Sequence, residues 1–162
     1  MDDPVSLILS TPFLAVNNGL ITLFGITGML ILSAFFSGME IAFISANKLR
    51  IELNNKQGSK PAKIVSKHFK NPGLFISTTL VGNNIALVIY GILMGEFLEG
   101  KLTYVITEDF IRFILVTIIS TLVVLITAEF LPKTLFRINP NSVLMLLIYP
   151  FQLFYYLFSG IV

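Results

Sequence analysis

Apolar positions in this chain come in long runs, and the polar residues that interrupt them are few. Three runs, 20–45, 74–95 and 110–131, are long enough to cross a bilayer. A hydrocarbon core of about 30 Å takes roughly 20 helical residues, so each run is predicted to be a transmembrane helix. A fourth apolar stretch, 141–162, carries Pro150 near its middle. Proline removes a backbone donor and disrupts a helix interior, so two short helices hinged there are predicted, a juxtamembrane or re-entrant hairpin against the inner half of the bundle. Segment 1–19 is apolar only from Val5 to Val16, holds Pro12 and follows Asp2 and Asp3. Without a basic region ahead of it, it reads as an extracytoplasmic segment, not a cleaved signal peptide.

Between the first two spans the pattern becomes amphipathic. Leu49 and Leu53 share one helical face before Gly58; Ser59 and Pro61 can start a second helix, in which Ala62, Val65 and Phe69 oppose lysines until Asn71-Pro72-Gly73. Two juxtamembrane helices over 46–72 are therefore predicted at the inner membrane surface. His68, the sole histidine, is expected on their outer side. The predicted fold class is all-α integral membrane: three transmembrane helices, amphipathic juxtamembrane helices and a C-terminal helical hairpin.

Composition agrees. The chain of 162 residues is 55% hydrophobic and 12% charged, too apolar for a soluble domain of this size. It has no cysteine, which excludes disulfides and thiolate metal sites. Charge then sets orientation. Loop 46–72 holds Lys48, Arg50, Lys56, Lys60, Lys63, Lys67 and Lys70, seven of the eleven basic residues, beside Glu52 alone. Cytoplasmic loops collect Lys and Arg, so this loop is inside. Loop 96–109 holds Glu96, Glu99, Glu108 and Asp109 against Lys101 and is outside. A multi-pass protein of the cell's inner (plasma) membrane is expected, N-terminus outside and C-terminus cytoplasmic.

The polar residues within the spans carry the chemistry. The first span contains Ser37, Gly38 and Glu40, the second Gly82, Asn83 and Asn84, and the third ends with Glu129 before Pro132. Each span thus sets a helix-weakening residue beside a polar one. Counting from the inner ends places Ser37 and Asn83 at a similar depth, roughly 12–14 Å. Glu129 is shallower, but its side chain is long and Pro132 can bend its helix, so the three can meet. The set is all oxygen: hydroxyl, carboxamide, carboxylate, and backbone carbonyls freed near Gly38 and Gly82. That suits a hard cation such as Mg²⁺ or Na⁺. Serine, glycine and asparagine also serve plain packing between membrane helices, the more ordinary use of Ser37 or Gly82 taken singly. An intramembrane carboxylate is costly and marks function by default.

These stretches, "FFSGMEIAF", "FISTTLVGNN" and "AEFLPKTL", with the basic loop between the first two, resemble the transmembrane domain of the CorC/CNNM magnesium-transport family over about 20–151. The resemblance implies Mg²⁺ export, coupled to Na⁺ entry, by a homodimer whose subunits each hold one ion site. By motif match the ligands are Ser37, Asn83 and Glu129. It also implies cytoplasmic CBS domains that bind ATP, beyond residue 162, so the chain is expected to be a fragment of a longer protein. Two positions depart from the pattern: Ala128 stands where glycine is usual, and Leu87 where some bacterial members carry another polar residue. The latter implies one ligand fewer. Asn84, about 100° round the helix from Asn83, is expected to contact a helix before an ion, and Glu40 to pair within the bundle. Gly25, Gly28, Gly91 and Gly95 are small residues suited to close dimer packing.

Other classes fare worse. An intramembrane metalloprotease needs a pair such as H-E-x-x-H, an aspartyl protease two membrane aspartates, and a serine protease a base near its serine; the spans supply none of these. An enzyme is not expected. A non-transporting membrane scaffold with a structural cation site remains the alternative.

Overall fold

The computed structural model describes the backbone of residues 12–158 and side chains from Gly19 onward. Most of the expected extracytoplasmic segment 1–19, and the end of the expected hairpin, 159–162, lie outside the described residues. Among the described residues there are helices and turns and no strands. They form α1 (Pro12–Ser45), α2 (Lys48–Lys56), α3 (Lys60–Lys70), α4 (Pro72–Leu102), α5 (Asp109–Val124), a π-helical segment (Leu125–Phe130), α6 (Leu131–Ile138) and α7 (Pro140–Phe158).

The two inner helices follow their sequence signals. Asn47 caps α2, its side chain accepting from the Arg50 N–H at 3.1 Å. Gly58 turns the chain at φ 89°, a conformation that favours glycine. Ser59 and Pro61 open α3, and Asn71 and Pro72 divide it from α4. The Ser66 hydroxyl donates to Glu52 at 2.6 Å, tying α3 to α2 and holding that carboxyl below its usual range.

Helix α4 runs antiparallel to α1. From the end beside α2 and α3, called inner below, outward, Phe75 stacks on Phe43 (3.9 Å between centroids), Gly82 meets Phe36, Asn83 meets Ser33, and Tyr90 packs with Ile26. The third membrane helix, α5 through α6, runs parallel to α1. Val123 and Val124 lie against the outer cluster of Ile26 and Tyr90, and Phe136 lies on Gly38.

Four helical stretches are long and apolar enough to cross a membrane: 19–45, 72–102, 109–138 and 140–158. The fourth corrects the expected hairpin. Helix α7 continues unbroken through Pro150. Pro150 and Leu146, whose carbonyl loses its i+4 donor, both lie on the exposed side of the helix, the side on which a proline disturbs packing least. The contacts of α7 gather at the inner ends of the other helices. Asn141 accepts from the Asn47 N–H at 2.8 Å, Phe151 stacks on Phe75 at 4.1 Å, and Phe154 meets Phe36 at 5.0 Å.

His68 is also not where expected. It is buried, 5% exposed, with its ring edge-on to Phe75, Phe151 and Tyr155 and its Nε2 without a hydrogen-bond partner among the described residues. Burial pushes its pKa down to about 4.

Candidate cation site

The three polar motifs converge on one stretch of α1. Ser33, Phe36, Ser37 and Gly38 are all buried there. A Cβ on Gly82 would overlap the Phe36 ring, and one on Gly38 would overlap the Phe136 ring. The glycines therefore serve as seats for phenyl rings. Helices α1 and α4 run unbroken through them, so the expected release of carbonyls at Gly38 and Gly82 does not occur. Apolar burial drives little association in lipid, where close packing and interhelical hydrogen bonds do the holding; these two seats bring α4 and α6 onto α1.

The loosening expected at Pro132 is present and lies just before it. Over Leu125–Phe130 the helix widens into a π turn that carries Glu129. The Leu131 N–H bonds the carbonyl of Ile126 instead of that of Thr127. Proline at 132 has no N–H, so the Thr127 carbonyl loses both donors that would ordinarily reach it. A backbone oxygen is thus set free two residues from the carboxylate.

Depth places the ligands within reach but shifts the expected match by one turn. Asn83 is level with Ser33, whose hydroxyl donates to its Oδ1 at 2.7 Å. Ser37 lies one turn inward on the same buried face, about 6 Å along the axis. Phe136 fixes α6 at the level of Gly38. Glu129 lies seven residues before Phe136 on that helix, about two turns further out than Phe136 itself.

Side-chain directions differ among the three. The Ser37 hydroxyl is buried and has no hydrogen-bond partner among the described residues, which costs about 1–3 kcal/mol if unrelieved. Asn83 Oδ1, having accepted one bond, keeps a second lone pair. Glu129 is half-buried, and its carboxylate is held by Lys133 at 3.4 Å rather than by Ser37 or Asn83. Ala128, in place of the usual glycine, is the π-segment residue buried in the bundle. Among the described residues no cluster of three His, Cys, Asp or Glu side chains could hold a metal.

The remaining candidates divide. Asn84 is exposed. Glu40 is half-buried and has no ion pair or hydrogen bond among the described residues, so its expected pairing within the bundle is not seen. Gly25 is spent inside the subunit against Leu93, whereas Gly28, Gly91 and Gly95 face open space. Ser33 is the residue that sequence reasoning missed. Its signal was its spacing, four residues before Ser37 and so on the same helical face.

The cyclin M transmembrane N-terminal domain model (CNNM) matches residues 24–162. This chain belongs to the CNNM family. Among curated relatives, the UPF0053 inner membrane protein YfjD of Escherichia coli (strain K12) is 34% identical over 115 residues, 69% of this chain and 25% of that protein. The UPF0053 protein MG146 homolog of Mycoplasma pneumoniae is 33% identical over 150 residues, 89% of this chain and 34% of that protein. A protein of Salmonella typhimurium named polyamine export protein is 34% identical over 71 residues, 44% of this chain and 16% of its own length. The chain thus spans about a quarter to a third of the first two relatives. As a CNNM domain with several apolar helices, it is a multi-pass membrane protein.

Proposed function

We propose that this chain is the ion-conducting membrane domain of a transporter that exports Mg²⁺ in exchange for Na⁺. The observation that carries the reading is the buried, unpartnered Ser37 hydroxyl, one turn from the Ser33–Asn83 pair and beside the helix that bears Glu129. A hard cation answers each of these: it satisfies the orphan hydroxyl, uses the spare lone pair of Asn83 and is charge-matched by Glu129. Mg²⁺ takes about six oxygens near 2.0–2.1 Å and sheds water reluctantly, so Ser37, Asn83, Glu129 and the Thr127 carbonyl replace only part of its shell. Titration calorimetry on the parent and on Ser37→Ala tests this. Loss of affinity in Ser37→Ala supports the site, and equal affinity argues against it.

In this reading three helices cross and α7 does not. The ring contacts of α7 on α1 reach only Phe35 and Phe36, about 14 Å from the inner end of α1, although α7 itself is about 28 Å long. Helix α7 is then an oblique brace on the inner half of the bundle, and the chain has its N-terminus outside and its C-terminus at the cytoplasmic side. Gly28, Gly91 and Gly95, open in the subunit, are the close-packing positions of a homodimer. Cytoplasmic CBS domains would follow α7 in the longer protein.

A second reading, organic amines as cargo, is favoured by one observation: Glu129 already holds a primary ammonium, that of Lys133. The Salmonella relative's name points the same way. A scaffold role with a structural cation predicts binding without flux.

A further inference from the structure

Lys133 stands between two openings. One, about 440 Å³, is lined by Leu125, Ile126, Glu129, Phe130 and Lys133. The other, about 420 Å³, is lined by Ile41, Lys133, Thr134, Arg137 and Ile138, one to two turns further inward. Lysine is the residue common to both. Its ammonium reaches outward to Glu129 at 3.4 Å, and both side chains are part-buried. An ion pair on a wet surface is worth little. This one is part-exposed, but on a helix long and apolar enough to cross a membrane, where charges are screened less than in open water.

We infer that Lys133 is a tethered counter-cation that occupies the Glu129 site when cargo is absent and must withdraw inward when cargo arrives. The inference rests on the cation site proposed above and deepens it. The charge count drives it. Glu129 with Lys133 is neutral, and adding a divalent cation beside both leaves a local charge of +2 in a poorly screened pocket. Withdrawing the ammonium to the inner opening lowers that charge to +1. The inner opening carries Arg137, a like charge, which disfavours a permanent stay and returns Lys133 to Glu129 once cargo leaves. Lys133 therefore sets affinity, offsetting the charge of the empty carboxylate and making cargo compete with an ammonium already in place. Release toward either side is helped by the same competitor.

The test uses the chain in lipid nanodiscs: the parent, Lys133→Gln, Lys133→Arg and Glu129→Gln. Mg²⁺ affinity is read by calorimetry and Lys133 reactivity by amine acylation with mass spectrometry. Lys133→Gln is expected to bind Mg²⁺ on the order of tenfold more tightly, and Lys133→Arg to bind like the parent. In the parent, Mg²⁺ is expected to raise Lys133 acylation, whereas in Glu129→Gln acylation is high from the start and indifferent to Mg²⁺. Acylation needs no substitution at Lys133, so a misfolded variant does not stall the test. If the parent binds Mg²⁺ through Glu129 but Lys133→Gln has equal affinity and acylation ignores Mg²⁺, this inference fails and the site stands. If the parent binds no Mg²⁺, or Glu129→Gln binds it as well as the parent, the site and this inference fall together.

Discussion

The seam between α1 and α4 and the helix running from α5 through the π segment to α6 are both apolar, yet they are built in opposite ways. The seam is closed. Phe36, Met39, Ala42, Phe75 and Ala86 are fully or almost fully buried, glycines admit rings, and the hydroxyls of Thr78 and Thr79 are satisfied by their own helix at 2.8 and 2.7 Å. The third membrane helix is open: between Asp109 and Ile138 only Ala128 and Pro132 are buried. Its exposed Ile, Leu and Phe side chains are suited to lipid or to a second subunit. The neutral candidate ligands, Ser37 and Asn83, belong to the closed region, and the charged one, Glu129, to the open one. The two neutral candidates thus sit on a closely packed seam, and the charged one on a widened turn of a helix with little buried surface.

That contrast breaks first at the ligands. Glu129→Gln is expected to weaken Mg²⁺ binding at least about a hundredfold, because dipoles alone then face a doubly charged ion in a weakly screened pocket. Its thermal stability should stay within about 1 kcal/mol of the parent, since only a part-exposed ion pair is lost. Asn83→Ala should weaken binding less, about tenfold, yet cost about 1–3 kcal/mol of stability, because buried Ser33 loses its acceptor. Equal binding losses in the two variants, by calorimetry, would mean that charge does not separate the two regions.

The inner end of the seam is closed by His68, which gives a pH dependence. In the fold its pKa is lowered to about 4, against 6.5 ordinarily. Protonation therefore favours the unfolded chain. The stability is whole above about pH 6.5 and is lost as pH falls toward about 4, by up to about 3 kcal/mol. Thermal unfolding followed by circular dichroism should show this decline, and His68→Phe should flatten it. A decline of equal size in His68→Phe would place the sensitive group elsewhere.

Packing differences come next. Gly82→Ala drives a methyl into the Phe36 ring and should cost about 1–3 kcal/mol. Gly91→Ala, which meets nothing within the subunit, should leave thermal stability unchanged. If that variant instead lowers the dimer fraction in crosslinking, its face is the subunit contact. Asn84→Ala is the mildest: an exposed side chain whose loss should change stability by less than about 0.5 kcal/mol.

Much of this fold was legible in the sequence because membrane helices are fixed by length and apolarity, and turns by residues with few conformations. Gly58, Asn71 and Pro72 stopped and started helices where expected. Where two local rules competed, position in the fold decided. Pro150 did not break α7, because it lies on an exposed face where a proline disturbs packing least, whereas Pro132 is buried and acts through the π turn before it. His68 looked like a surface residue because lysines flank it; only the approach of α7 buries it. The candidate ligands were found by their polarity in apolar runs. Their pairing was not, because register between two helices depends on where rings are seated. Phe36 on Gly82 sets Asn83 opposite Ser33 and not Ser37.

The most direct test of the account is Mg²⁺ movement in sealed vesicles carrying the parent chain, loaded with Mg²⁺ and read with and without an inward Na⁺ gradient, beside Glu129→Gln. The account predicts Mg²⁺ efflux that the Na⁺ gradient accelerates and that Glu129→Gln abolishes. Efflux equal to that of empty vesicles, from protein that still binds Mg²⁺, would contradict transport and leave a scaffold with a structural ion.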